Sequence, residues 1–362
     1  MLYPFADYWW AYGGFTLFVI VVLVVDLGIF HRRPHVMKFR EAATWCVVWP
    51  VLALLFCLAL WIYSGWRFPQ AEEASPGLLK AAGFDSASTA ANTLALQFLA
   101  GYVVEQSLSV DNIFVFVVIF RFFAVPAHLQ HRVLFYGIIG AVAFRAVFIA
   151  LGAVLLQYKW VIWVFGGFLV LTGIKLMISR ETEKDLSKNW VVRLARRMLP
   201  VTPQYHGAHF FLREPIGAGA SAAGAPSSAG ASAAGVTRLV ATPLFLALVV
   251  VEATDVVFAV DSVPAIFAIT REPLIVFTSN IFAILGLRAL YFLLAGAMDS
   301  FHLLKYGLGI VLIFVGLKMA VLNEWFDGHF PITWSLGIIC GVIGGSIAAS
   351  LLLPKTPAVR PQ

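Results

Sequence analysis

Nine apolar runs, each close to or beyond 20 residues, dominate the chain, at approximately 13–30, 42–64, 94–120, 132–156, 159–178, 241–269, 274–297, 303–322 and 332–353. About 20 apolar residues carry an α-helix across the hydrocarbon core of a bilayer. Inside that core every backbone N–H and C=O needs a partner within the protein, which leaves helices and closed barrels. Barrel strands alternate over roughly ten residues, whereas these runs are continuous. The sequence therefore predicts an all-α, polytopic membrane bundle of about nine transmembrane helices. Only 12% of residues are charged, where a soluble domain is about a quarter charged.

Basic residues orient the bundle. Arg32, Arg33, Lys38 and Arg40 follow the first run. Arg121 and Arg132 follow the third, and Arg180, Lys184, Lys188, Arg193, Arg196, Arg197, Arg213 and Arg238 follow the fifth. These alternate loops are assigned to the cytoplasm by the positive-inside rule. The N-terminus is then outside and the C-terminus, with Lys355 and Arg360, inside. The net charge of +6 reflects topology, and no nucleic-acid partner is expected. No cleavable signal peptide is expected, since no Lys or Arg precedes the first run. Cys46, Cys57 and Cys340 lie in apolar runs without CxxC spacing and read as small buried hydrophobes. Within the long loop, 180–198 can form a basic amphipathic helix on an anionic leaflet or a solvated one. IGAGASAAGAPSSAGASAAG then reads as a flexible linker.

Two runs carry acids, as EQSLSVDNIFVF (105–116) and EATDVVFAVDSVPAIF (252–267), and they align. An offset of 150 residues carries Glu105 onto Asp255, Asp111 onto Asp261 and Asn112 onto Ser262. An offset of 143 then carries Arg145 onto Arg288, Gly166 onto Gly309, Gly173 onto Gly316 and Lys175 onto Lys318. This recurrence indicates a duplication. Each copy holds three runs, so the second copy enters the membrane inverted. The expected organisation is two N-terminal helices and an outer loop (1–92), then a first three-helix repeat (93–179). A cytoplasmic loop and linker follow (180–240), then the inverted second repeat (241–323) and a final helix and tail (324–362). Inverted repeats are common in secondary transporters, whose ion sites lie near the midplane.

A charge at the bilayer centre costs at least about 2.5–3.5 kcal/mol by insertion scales. Glu105, Asp111, Glu252, Asp255 and Asp261 therefore need counter-charges, protons or a metal. Arg145 and Arg288, mid-run, are the evident charge partners. They could simply clamp the repeats together, but the acids outnumber them, and Asn112 and Ser262 add neutral oxygens. That donor set suits a hard divalent cation such as Mg2+, Ca2+ or Mn2+. Glu252 has no repeat counterpart and ranks below the matched acids. Glu105 and Asp111, like Asp255 and Asp261, are six residues apart, about 120° on a straight helix. A break at Pro264, freeing the carbonyl of Val260, is expected to help them converge. Asp26 is read as facing headgroups or an inner vestibule. Lys175 and Lys318 are expected to snorkel at helix ends, and His128, His131 and His302 to be structural.

These acidic stretches, the longer VVVEATDVVFAVDSVPAIFAIT and the DLGIFHRRPH after the first run resemble the TerC family of integral membrane proteins, over roughly 10–355 without the linker. The resemblance implies manganese export across the bacterial cytoplasmic (inner) membrane, by a protein similar to the LysE-type exporters. It implies Glu105, Asp111, Asn112, Asp255, Asp261 and Ser262 as ion ligands. Some members are linked to secretion or membrane-protein insertion machinery, so an assembly or scaffold factor with a structural cation site is the alternative. No organic cofactor and no enzymatic activity are expected. The family is named for tellurium resistance, yet tellurite is an oxyanion that a carboxylate cluster repels. Purified protein is expected to bind no tellurite at this cluster when divalent cations are absent, which equilibrium dialysis checks.

Overall fold

The computed structural model describes residues 2–25, 39–155, 158–178, 201–202, 205, 207–215, 237–295, 303–325 and 330–353. Asp26, His302, the 180–198 segment and the Ala/Gly/Ser linker lie outside them, as do the side chains of Asp111 and Asp261. The helices are α1 (Phe5–Val25), α2 (Phe39–Ala74), α3 (Leu78–Ala81), α4 (Ala87–Phe122), α5 (Ala127–Leu155) and α6 (Lys159–Ile178). After the long loop come α7 (Pro243–Phe267), α8 (Pro273–Leu294), α9 (Leu304–Leu317), α10 (Asn323–Trp325) and α11 (Ile332–Leu352). A π-helical turn, Lys318–Leu322, joins α9 to α10.

Among the described residues eight helices are long and apolar enough to cross a bilayer: α1, α2, α5, α6, α7, α8, α9 with its π turn, and α11. The sequence counts nine because it includes α4, a helix of 36 residues that holds the first acidic run. Exposed side chains such as Trp9, Leu17, Leu55, Trp160 and Leu171 give these helices an apolar outer surface. A continuous apolar surface of this kind is a liability in water and the natural one against lipid. The interior is built around α8, whose apolar stretch is 89% buried.

Four helices form a ring. α4 packs on α8, α8 on α5, α5 on α7 and α7 on α4. α4 and α5 therefore face each other across the ring. Outside it, α6 packs tightly on α9. Exchanging α4 with α7, α5 with α8 and α6 with α9 leaves this set of neighbours unchanged. The glycines obey the same exchange. A Cβ at Gly166 would come 2.9 Å from the Gly316 carbonyl oxygen, and one at Gly309 would come 2.9 Å from that of Gly173. Residue numbers run in opposite senses across the contact, so α6 and α9 cross antiparallel. Backbones approach this closely only where side chains are absent, as in small-residue contacts between membrane helices.

The ends are closed by polar contacts. The Glu72 carboxylate accepts from the N–H groups of Gly77 (2.6 Å) and Leu79 (2.8 Å), holding the turn into α3. Ser86 caps α4 by accepting from the Thr89 N–H. Glu272, between α7 and α8, accepts from the N–H groups of Leu2 and Tyr3.

Three features differ from the sequence reading. First, α7 runs unbroken through Pro264. The proline sits in the last helical turn, where one missing hydrogen bond is easily absorbed. Second, Lys318 does not snorkel: it is buried at the start of the π turn, whereas Lys175 is exposed. The α6–α9 contact and α11 enclose that end of α9, leaving its lysine no path outward. Third, two strands flank the linker, β1 (Phe211–Pro215) and β2 (Thr237–Ala241), paired antiparallel with Phe211 opposite Ala241. Val201, Tyr205, Ala208 and Phe210 pack on the core cluster of Phe116, Phe120 and Leu244. The Tyr205 hydroxyl donates to the Phe123 carbonyl at 2.5 Å.

Gly173→Ala and Gly316→Ala are each expected to destabilise the bundle by about 1–3 kcal/mol through overpacking. Gly167→Ala, whose Cβ would meet nothing within 4 Å, should leave it unchanged. Thermal unfolding in detergent measures both.

Candidate cation site

The polar residues occupy one level of the ring, between apolar layers. Along α4 they lie between Leu94, Phe98 and Tyr102 on one side and Ile113, Phe116 and Phe120 on the other. Along α7 they lie between Leu244, Ala247 and Val251 and, beyond them, Ala265, Ala268 and Ile269. A carboxylate at this level has no bulk water to solvate it.

The unbroken helices decide which residues share a face. Seven residues make nearly two full turns. Glu105 and Asn112 therefore share one face of α4, as Asp255 and Ser262 share one face of α7. All four are buried, at 0%, 3%, 3% and 2% exposure. Asp111 and Asp261 begin about 120° around their helices from Glu105 and Asp255. Convergence at Pro264 is thus not how this fold gathers the acids.

Arg145 of α5 crosses the ring and ion-pairs with Glu105 of α4. Its Nη1 also donates to the Oδ1 of Asn280 on α8, at 2.8 Å. The Nδ2 of Asn280 donates in turn to Glu105 Oε2 at 3.4 Å. Asp255 lies within electrostatic reach of both Arg145 and Glu252. One guanidinium thus pairs with the acid of α4 and lies within electrostatic reach of that of α7. Arg288, also buried, lines a cavity of about 10 Å³ with Asp255, Phe116, Gly137 and Leu287, close to the space one water needs.

Glu252 is half-buried, and its carboxylate lies directly over Gly140 of α5. A side chain at residue 140 would collide with it. Among the described residues, Glu252 Oε2, Ser262 Oγ and Gln106 Oε1 are buried oxygens without a hydrogen-bond partner. Oxygens of this kind are donors for a hard cation. Among the described residues, no group of three or more His, Cys, Asp or Glu is arranged to hold a metal ion. The side chains of Asp111 and Asp261 fall outside that description.

Two participants escape the sequence reading. Asn280 lies in the run FTSN, where nothing but its polarity in an apolar helix marks it, and the residue 143 positions earlier is Gly137. Gln106 stands beside Glu105, but only the fold reveals that its oxygen is buried.

Removing one partner of a buried ion pair costs about 3–5 kcal/mol, because the other charge is left uncompensated. Arg145→Met is therefore expected to destabilise more than the double variant Arg145→Met with Glu105→Gln. A thermal-melt double-mutant cycle checks this ordering.

Comparisons with known proteins bear on the same residues. The family model described as "Integral membrane protein TerC family" matches residues 90–358. An "Uncharacterized membrane protein STKORF319" of Myxococcus xanthus is 47% identical over 94% of this chain and 92% of its own length. The "Putative membrane-bound redox modulator Alx" of Escherichia coli (strain K12) is 42% identical over 92% of this chain and 91% of its own. An "Uncharacterized membrane protein" of Rickettsia bellii is 35% identical over 85% of this chain and 86% of its own. No solved structure matches the chain significantly.

Proposed function

The chain belongs to the TerC family of integral membrane proteins, and from that premise we propose that it is a secondary transporter. It exports a divalent cation, Mn2+ as the favoured substrate with Ca2+ and Mg2+ as competitors, across a bacterial cytoplasmic membrane. The observation that carries this reading is the link made by Arg145. It pairs with Glu105 and lies within electrostatic reach of Asp255, so one guanidinium answers to an acid of each acidic helix. In the reading proposed, Glu105, Asp111, Asp255 and Asp261 supply charged oxygens. Asn112 and Ser262 supply neutral ones, and Glu252 supports them from the edge. Arg145 and Arg288 balance the acids while no cation is bound.

Such a site needs access from each side in turn. The preserved neighbours and the crossed glycine contacts of α6 and α9 support a two-fold axis in the membrane plane. Rocking one repeat against the other about such an axis alternates access. The apolar layers on both sides of the polar level support an occluded state.

The redox wording of some relatives gains no support from Cys46 and Cys57. Both lie on α2, eleven residues or about 16 Å apart, well beyond the roughly 7 Å limit for a disulfide. A second reading, an assembly or scaffold factor with a structural cation site, draws on Val201, Tyr205, Ala208 and Phe210, which pack on the core. It predicts that excising the 180–240 loop abolishes cellular function while cation binding persists.

Transport in proteoliposomes separates the two. Asp111→Asn, Asp255→Asn and Asp261→Asn are each expected to lower Mn2+ flux at least about ten- to a hundredfold, the range seen when even outer-shell metal contacts are lost. Unchanged flux in correctly folded variants would overturn the transporter reading.

A further inference from the structure

The side chain that the transporter reading leaves unused is Asn280, which is fully buried. Its neighbours Thr278 and Ser279 spend their hydroxyls on the carbonyls of their own helix, Leu274 and Ile275. Of these three, Asn280 hydrogen-bonds to the two neighbouring helices, α4 and α5. Arginine only donates hydrogen bonds and an ionised carboxylate only accepts them. An amide placed between the two therefore has one favourable orientation, oxygen to Arg145 and nitrogen to Glu105, and that orientation is observed.

We propose that Asn280 is a positioning residue that lets Glu105 exchange Arg145 for a cation. This rests on the cation-transport reading above. The Nη1 of Arg145 is shared between two acceptors, one charged and one neutral. When Glu105 turns towards an arriving cation, the guanidinium keeps the Asn280 oxygen. Without that oxygen, release of Glu105 would leave a buried arginine between apolar layers with a hydrogen bond lost. Its Nε already lacks a partner among the described residues, so there is little spare bonding to absorb the loss.

The repeat makes the device one-sided. The 143-residue offset carries Asn280 back to Gly137, which lines the small cavity beside Asp255 and Arg288. An amide is present where Glu105 meets Arg145 and absent at the matching place near Asp255. The two halves of the site are therefore unequal: the Glu105 half is gated by an amide.

The test is Mn2+ binding to purified protein and Mn2+ flux in proteoliposomes, for wild type, Asn280→Ala and Asn280→Asp. Asn280→Ala is expected to weaken Mn2+ binding and raise KM about ten- to a hundredfold, the size of one hydrogen bond to a charged group. Asn280→Asp keeps the shape, holds Arg145 with a full charge and frees Glu105, so it should tighten Mn2+ binding and slow turnover. A residue that merely packs would not move the two variants in opposite directions. Should Asn280→Ala fail to fold, the near-isosteric Asn280→Asp decides alone. Wild-type flux with KM unchanged in folded variants, or shifted in the same direction in both, would overturn this inference and leave the transporter reading standing. Absence of Mn2+ binding and flux in wild type would overturn both.

Discussion

Everything in the centre of this protein follows from one constraint: Glu105 is fully buried where water cannot solvate a charge. Its ion pair with Arg145 answers that constraint, and the pair spans the ring from α4 to α5. Those two helices pack on α7 and α8 rather than extensively on each other. The ion pair therefore requires the ring to hold α4 and α5 in register across it. Asn280 extends the pair into a three-membered network, from the helix that touches both partners.

A buried ion pair is weak evidence for stability, since matched apolar side chains often serve as well. Its persistence in a membrane helix reads more naturally as function, because intramembrane ionisable groups are expensive and are usually found along ion or proton pathways. The unpartnered oxygens of Glu252, Ser262 and Gln106 strengthen that reading. That lack of partners holds among the described residues. Gly140 adds to the functional reading, as the glycine makes room for the Glu252 carboxylate against α5.

Much of the architecture was legible from residue order alone. Run length and continuity specify membrane helices, because a bilayer offers the backbone no hydrogen bonds. The offsets of 150 and 143 anticipate which glycines correspond, and the fold puts Gly166 against Gly316 and Gly173 against Gly309. Other elements were not legible. The strands β1 and β2 are five residues each and owe their stability to docking on the core, which local pattern does not reveal. Lys318 has the sequence context of a snorkelling lysine, and only its neighbours bury it. Pro264 has the signature of a helix break, but its position in the last turn leaves α7 unbroken.

By itself, the sequence determined the solvent, the helical class, the duplicated acids and the identity of the charges that must be neutralised. These follow from composition and spacing, which act through the backbone and the bilayer. The tertiary structure decided which charge meets which. Arg145 lies 40 residues from Glu105 and 135 from Asn280, and no periodicity relates them. Their meeting depends on the angle and register at which four helices close a ring. Which residues share a face is by contrast local: an unbroken helix brings the seventh residue round and not the sixth, which sets Asn112 with Glu105 and Ser262 with Asp255.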